Sequence, residues 1–365
     1  MPETGERSAG GTAAVSDGRA SSRAPLAAGV TVVVLALGLL AWAKYLPYSV
    51  KVPHVLDTHS LGASILTGDG AVGQGASLAA GWHFTVAYLS SVWQALVAGL
   101  VLAAAVQALL PATWLQRALG RSGGTRGGIR GALWSVLTLM CSCCAAPVAV
   151  GLRRLRANLP ATVGFWLGNP ALNPVVLVLC LAVLPWPWAV LRLAAGLAVV
   201  AAGITAARWE ERRTLVLVEP VADDVLDRPV VTGGLPVRFT KALAALATRL
   251  LPEFLVIVFV LGAFRSVLFP LDAAVPGVAV LAVSLAIAGL LLPVPTGGEV
   301  AVVAAGLAAG MPVPAAAVLL VTLPMLSLPS VLMVRSVVPR RVLERTAGAA
   351  LGVGLLAAAV APVLA

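Results

Sequence analysis

Long apolar runs without charge alternate with short polar or basic segments along almost the whole chain. The first run covers residues 24–43 and is long enough for a helix to cross a bilayer core of about 30 Å. Two blocks, 185–207 and 250–269, are interrupted by charge. The other uncharged blocks are residues 82–110, 131–152, 157–191, 273–298, 300–334 and 346–365. This pattern predicts an all-α integral membrane protein with about 7–10 membrane segments.

Polar and basic segments divide the chain into six predicted parts. These are a disordered cytoplasmic tail (1–23), a first transmembrane helix (24–43), an extracytoplasmic loop (44–81), a first repeat (82–207), a cytoplasmic linker (208–242) and a second repeat (243–365). The loop contains His54, Asp57, His59 and Asp69, which offer metal ligands. A metal site is one interpretation, and solvated loop residues are the interpretation that we favour.

Composition supports the membrane prediction and excludes other classes. The chain is 60% hydrophobic and only 11% charged, whereas a soluble chain has about 25% charged residues. A net charge of +10 would suit a nucleic-acid partner, but the arginines flank apolar blocks, as the positive-inside rule expects. We therefore predict a multi-pass protein of the inner (cell) membrane, with the lipid bilayer and no nucleic acid as partner. The oligomeric state is not predictable from these features.

Block 131–152 conflicts with a simple side assignment, because basic clusters lie at both of its ends. One solution is a re-entrant hairpin that turns near Cys141 to Pro147. The other is a full span with one basic cluster on the unexpected side. We favour the hairpin, which requires that its turn be buried in protein or line a wet cavity.

The second half resembles the first when the sequence is shifted by 154 residues. Pro160 then falls on Pro314, Pro170 on Pro324, and Asn173 on Ser327. With the basic segments kept cytoplasmic, the two halves have opposite topology and each has a broken segment at the corresponding place. Two inverted structural repeats with broken or re-entrant helices are typical of secondary transporters.

Three thiols within four positions are the most unusual chemistry in the sequence. Cys141, Cys143 and Cys144 lie in an uncharged block that Pro147 should interrupt. Thiolates are soft ligands and favour soft metal or metalloid centres. The alternative is that these cysteines are small apolar packing residues. The chain has no nucleotide-binding or hydrolase motif, so we expect no resident cofactor and no enzyme activity.

Polar side chains punctuate three other apolar blocks. Asn169 and Asn173 each precede a proline, and Ser327 and Ser330 occupy the related place in the second half. These four either accompany structural kinks or line a substrate path. Glu299 follows a Gly pair and has capping-box spacing from Thr296, so we expect it to cap the next helix, to handle protons or cations, or to do both.

Two further charged positions lie in apolar blocks. Glu253 is a second candidate for proton coupling, although Arg249, four residues earlier, could neutralise it. Arg192 is interpreted as a residue that reaches the membrane interface.

Several of these motifs resemble the predicted-permease family that includes ArsP-type organoarsenical efflux permeases. The likeness rests on Cys141 to Cys143 with Pro147, on the stretch from Phe165 to Pro174, and on the segments ending at Glu299 and Ser330. It covers most of residues 82–345. Cys144 stands where a glycine is expected and Met140 where a proline is common. The extra thiol either strengthens soft-ligand binding or is a neutral replacement.

The resemblance implies a permease that exports trivalent organoarsenicals and uses the motif cysteines. We therefore predict a secondary transporter of a small metalloid or similar solute. Its predicted site comprises Cys141, Cys143 and Cys144 as transient soft ligands, Asn169, Asn173, Ser327 and Ser330 as polar lining, and Glu299, with Glu253, as proton-coupling groups. The alternatives are a membrane thiol redox or metal-sensing protein, and a permease for an unrelated small solute.

Overall fold

The computed structural model describes residues 20–62, 76–109, 124–217, 234–268 and 277–364. These residues form helices and connecting turns and contain no strand. In chain order the helices are α1 (Ala20–Leu40), a π-helical turn (Ala41–Tyr45), α2 (Leu46–Thr58), α3 (Leu78–Leu109), α4 (Thr125–Val136), α5 (Ser142–Arg154), α6 (Leu159–Leu172), α7 (Pro174–Val183), α8 (Trp186–Leu217), α9 (Leu235–Ala263), α10 (Arg265–Leu268), α11 (Val278–Leu291), α12 (Gly298–Ala308), α13 (Val313–Met325), α14 (Leu328–Val334) and α15 (Arg340–Leu364).

The all-α prediction is confirmed for the described part of the chain. Seven helical segments in that part are long and apolar enough to cross a bilayer: Val30–Thr58, Leu78–Leu109, Leu159–Val183, Trp186–Thr214, Pro236–Ala263, Val313–Val334 and Arg340–Val363. Two of them are interrupted. Asn173 separates α6 from α7, because Pro174 has no N–H to continue the helix. Residues 326–327 separate α13 from α14.

The first membrane helix is longer than the predicted 24–43. It passes through the π-helical turn and continues to Thr58, so helix replaces much of the loop expected at 44–81. The prediction ended the helix before Lys44 because a charged residue normally lies outside the membrane. Lys44 instead packs inside the protein, with only 7% of its surface exposed. His54 and Asp57 lie on α2 and His59 follows it, and none belongs to a metal-binding cluster among the described residues. Asp69 lies outside those residues.

Helices α4 and α5 form a hairpin that enters and leaves the bundle at one end. They have 12 and 13 residues, so at 1.5 Å per residue neither spans a bilayer core of about 30 Å. At the start of α4, Thr125 accepts a hydrogen bond from Arg208. At the start of α6, the backbone N–H of Leu159 donates to Glu211. Both beginnings therefore lie beside the last turns of α8.

The hairpin turns at residues 137–141, slightly before the expected position. From there α5 returns along α3, since Gly99 lies against the carbonyl of Cys144 and Gly151 lies near the carbonyl of Ala103. Pro147 does not end this helix, contrary to expectation. Its missing N–H instead leaves the carbonyl of Cys143 without the usual helical donor.

The helices of the second half follow the order and lengths of the first. When 154 is added to the residue numbers of a first-half helix, its bounds nearly coincide with those of a second-half helix. Helix α4 (125–136) shifts to 279–290, where α11 covers 278–291, and α5 (142–154) shifts to 296–308, where α12 covers 298–308. Helix α6 (159–172) shifts to 313–326, where α13 covers 313–325, and α7 (174–183) shifts to 328–337, where α14 covers 328–334. The long helices on either side correspond in the same way, α3 to α9 and α8 to α15. The helical units therefore extend beyond the predicted limits of 82–207 and 243–365, because α8 continues to Leu217 and α9 begins at Leu235.

Candidate functional site

The three predicted thiols lie together at the tip of the first hairpin. Cys141 is the N-cap residue of α5, and Cys143 and Cys144 are in its first turn. The Sγ of Cys141 is 3.0 Å from that of Cys143 and 3.1 Å from that of Cys144, and the latter two are 3.9 Å apart. All three are free and buried. Among the described residues, this is the one group of three or more His, Cys, Asp or Glu side chains that is close enough to share a metal ion.

Helix α3 holds the thiol cluster from one side. The hydroxyl of Tyr88, a fully buried residue, is 3.1 Å from the Sγ of Cys143. Close approach of α3 and α5 depends on Gly99, because a Cβ at that position would be 2.7 Å from the carbonyl oxygen of Cys144. The positive end of the α5 dipole adds partial positive charge beside the sulfur atoms. The site can therefore present up to three sulfur ligands to a single soft centre.

Lys44 contacts the tip of the second hairpin, which joins α11 to α12. Its Nζ donates a hydrogen bond of 3.3 Å to the Oγ1 of Thr296. Lys44 lies in the π-helical turn, a backbone irregularity that is common at functional sites. Lys44 was not included in the site predicted from the sequence, because this lysine marks the end of the apolar run at Ala43. A lysine directly after a membrane helix could nevertheless have indicated a functional residue.

A cavity of about 310 Å³ lies beside Lys44. The first membrane helix, α3 and the second hairpin tip form its walls. Its polar lining consists of Lys44, Tyr48, Lys51, Ser91, Gln94 and Thr296. Val92 and Ala95, one to two turns of α3 beyond Tyr88, also line the cavity, and none of the three clustered cysteines does.

Glu299 forms a buried ion pair with Arg192 instead of capping α12. The distance between the Arg192 Nη2 and the Glu299 Oε1 is 2.7 Å, and the two side chains are 0% and 3% exposed. The N-cap of α12 is Gly297, with φ of +84°, and it makes no side-chain cap. The interpretation of Arg192 as an interfacial residue is thus wrong, since it lies in the protein interior.

The same arginine satisfies two backbone carbonyls. It donates to the carbonyl of Leu320 at 3.1 Å and to that of Pro170 at 3.2 Å. Each carbonyl lacks its helical donor because the residue four positions later is a proline, Pro324 and Pro174 respectively. Arg192 therefore joins both broken helices to the second hairpin.

The predicted asparagines connect α6 to the first hairpin tip and cap α7 at the break between α6 and α7. The Asn169 Oδ1 accepts from the N–H of Met140 at 2.9 Å, and its amide donates to Thr138. The Asn173 Oδ1 caps α7 through the N–H of Val175 at 3.0 Å. The Asn173 Nδ2 is buried and has no partner among the described residues.

The predicted serines lie at the break between α13 and α14. Ser327 and Ser330 form a capping box for α14. The Ser327 Oγ also lies 3.2 Å from the Ser142 Oγ at the first hairpin tip. Glu253 lies elsewhere, and it pairs with Arg335 at 2.8 Å rather than with Arg249.

Comparison with known proteins decides the family. The family model ArsP_1, described as a predicted permease, matches residues 77–361. The chain belongs to this predicted permease family. The permease is also similar to UPF0718 protein YraQ of Escherichia coli (strain K12), with 38% identity over 308 residues, which covers 84% of this chain and 87% of that protein. No solved structure matches it. With seven long apolar helices in the part of the chain that the structure describes, the permease is a multi-pass membrane protein.

Proposed function

We propose that this permease is a secondary transporter that exports a small soft solute, such as a trivalent organoarsenical, across the inner membrane. The observation that supports this most directly is the group of three Sγ atoms, 3.0–3.9 Å apart at the first hairpin tip. Three thiolates at such spacing suit a trivalent metalloid, which each sulfur can bind and release in turn. Cys141, Cys143 and Cys144 are the proposed ligands.

The transport mechanism that we propose uses two inverted repeats. Support comes from the matching helix bounds in the two halves and from the breaks at Asn173 and Ser327. In this scheme, movement of one half against the other opens the buried breaks to each side in turn. Asn169, Asn173, Ser327 and Ser330 then exchange their capping hydrogen bonds for contacts with the solute or water.

Proton coupling is the energy source that we propose, since the sequence contains no nucleotide-binding motif. Glu299 is the principal candidate because its ion pair with Arg192 links α8 to the second hairpin. Protonation of Glu299 would remove one partner of that pair and loosen the connection between the halves. Glu253, whose side chain is 35% exposed, is a secondary candidate.

An accumulation assay tests the arsenical cargo. Cells that express the protein should retain less trivalent methylarsenical or phenylarsenical than control cells, and Cys143→Ser should reduce this difference. Cys180→Ser is the matched control, because Cys180 is buried in α7 and does not belong to the thiol cluster. Equal retention with and without the protein, across several soft metalloids, would reject the arsenical cargo.

A membrane thiol redox protein is the second candidate, favoured by the 3.0 Å approach of Cys141 and Cys143. Such a protein would cycle between thiol and disulfide during turnover. Mass spectrometry of the purified protein after mild oxidation and reduction distinguishes the two functions. A reversible disulfide combined with no transport would favour the redox function.

A further inference from the structure

Lysine side chains give the cavity beside the second hairpin tip a positive charge. Two of the three lysines in the chain, Lys44 and Lys51, line it. Neither forms a salt bridge with a carboxylate among the described residues. Glu299 is in the first turn of α12, but its carboxylate faces Arg192, which neutralises it. The N-terminus of α12 at Gly298 also lines the cavity and adds further positive potential.

Lys44 has donor capacity that the protein does not use. An ammonium group has three N–H donors, and the hydrogen bond to Thr296 accounts for one. Tyr48 contributes a cation–π contact at 5.7 Å from its ring centroid, which compensates only part of the charge. A buried, uncompensated charge costs several kcal/mol or more. Only 7% of the Lys44 surface is exposed, so an anion in the cavity would offset this cost.

We infer that the cavity binds the anionic group of the transported solute, so that the cargo is a small anion that also carries a soft atom. In this proposal Lys44 and Lys51 hold a carboxylate or oxyanion, and the soft atom reaches Cys141, Cys143 and Cys144 as the two halves move, since none of these cysteines lines the cavity. The soft-atom part of this inference rests on the proposed transport through the thiol site. The anion-binding part rests on the cavity alone.

The dimensions of the cavity limit the cargo. Its volume of about 310 Å³ corresponds to about ten water molecules at ~30 Å³ each, which suits a small organic or inorganic anion and excludes a folded peptide. Membership of the predicted permease family does not by itself imply that the cavity binds an anion. The family match begins at residue 77, after the helix that carries both cavity lysines.

Two probes that differ by one carboxylate test the inference in proteoliposomes. These are phenylarsenous acid and its 4-carboxy derivative, supplied to the purified full chain. Wild type should carry the carboxylated probe faster, and Lys44→Gln should reduce its transport about tenfold, or ~1.4 kcal/mol, with little effect on the neutral probe. Lys44→Arg should restore the preference. Lys241→Gln, on the exposed surface of α9, should behave as wild type.

Direct anion binding provides a second measurement that does not depend on arsenic. Benzoate and thiosulfate should raise the thermal unfolding midpoint of wild type and of Lys241→Gln in nanodiscs, and should do so much less for Lys44→Gln. Transport of both probes at equal rates in wild type and Lys44→Gln would overturn the anion inference and leave the proposed function intact. If neither probe is transported, the arsenical function is rejected. The binding measurement then tests the anion site alone, and the absence of any stabilisation of wild type by benzoate or thiosulfate would overturn the anion inference.

Discussion

At the scale of single residues, Arg192 explains how a membrane protein can keep two broken helices in its interior. A helix interrupted by proline exposes carbonyl oxygens that nothing in a lipid environment can satisfy. Arg192 donates to one such carbonyl from each broken helix, at Pro170 and Leu320. Its charge is balanced by Glu299. The ion pair and the two hydrogen bonds together thus offset the free-energy cost of burying the arginine.

Removal of Arg192 should therefore be strongly destabilising. Arg192→Met leaves the Glu299 carboxylate buried without a partner and leaves two carbonyls unsatisfied. We expect a loss of about 3–5 kcal/mol in the free energy of unfolding, measured by chemical denaturation of the purified protein in detergent. Arg192→Met combined with Glu299→Gln should recover part of this loss.

An exposed ion pair on the same protein is the matched control. Arg335 and Glu253 approach within 2.8 Å, but their side chains are 58% and 35% exposed. Arg335→Met should change the unfolding free energy by no more than about 1 kcal/mol. A similar small effect for Arg192→Met would contradict the role assigned to the buried pair.

Individual site residues differ in how far the sequence could predict them. The three cysteines were predictable as a group because they are neighbours in the chain. The pair of Arg192 and Glu299 was not, because a long-range partner leaves no local pattern. Lys44 was missed for a related reason: its contact with Thr296 crosses 252 positions. Sequence spacing describes one helix turn, whereas these contacts depend on how helices pack.

At the scale of helices, glycine permits the first hairpin to lie against α6. A Cβ on Gly131 would collide with the carbonyl oxygen of Ala161, and one on Gly164 would collide with that of Gly128. Small residues allow this backbone approach in membrane proteins, where packing rather than a hydrophobic driving force holds helices together. The position of the thiols at the hairpin tip therefore depends on these glycines.

Alanine substitutions test this packing. Gly164→Ala should lower the thermal unfolding midpoint and reduce transport, because the obstacle is backbone and cannot rotate away. Gly352→Ala is the control, since nothing lies within 4 Å of the added Cβ. Alanine favours a helix by about 1 kcal/mol over glycine, so Gly352→Ala should be neutral or slightly stabilising. Equal midpoints for the two variants would mean that α4 and α6 are not held by close backbone contact.

At the scale of the whole molecule, hydrophobic patterning predicted the helical class and most of the long helices. Helix limits were less predictable where charged residues continue a helix, as at the ends of α2 and α8. Polarity normally signals the end of a membrane helix, but Lys44 is buried and Glu211 bonds the start of α6. Charges that serve tertiary contacts thus make a membrane helix look shorter than it is.

The proposed inversion of the two halves makes a direct prediction about their topology in the membrane. If the halves are inverted, equivalent hairpins open toward opposite faces of the membrane. Single cysteines at Arg126, Arg154 and Lys241 should then react with a membrane-impermeant thiol reagent from one side, and a cysteine at Ala309 should react from the other. Ala309 follows α12 and is exposed, so its labelling reports the open end of the second hairpin.

Labelling after detergent solubilisation is the control for this experiment, because all four introduced cysteines should then react. The native cysteines are buried and should contribute little background. Different sides for Arg126 and Arg154 would mean that the first hairpin is a full span. Labelling of Ala309 and Arg126 from the same side would mean that the two halves are parallel. Rocking about a shared central site would then no longer explain transport, because that mechanism needs one hairpin to open at each face.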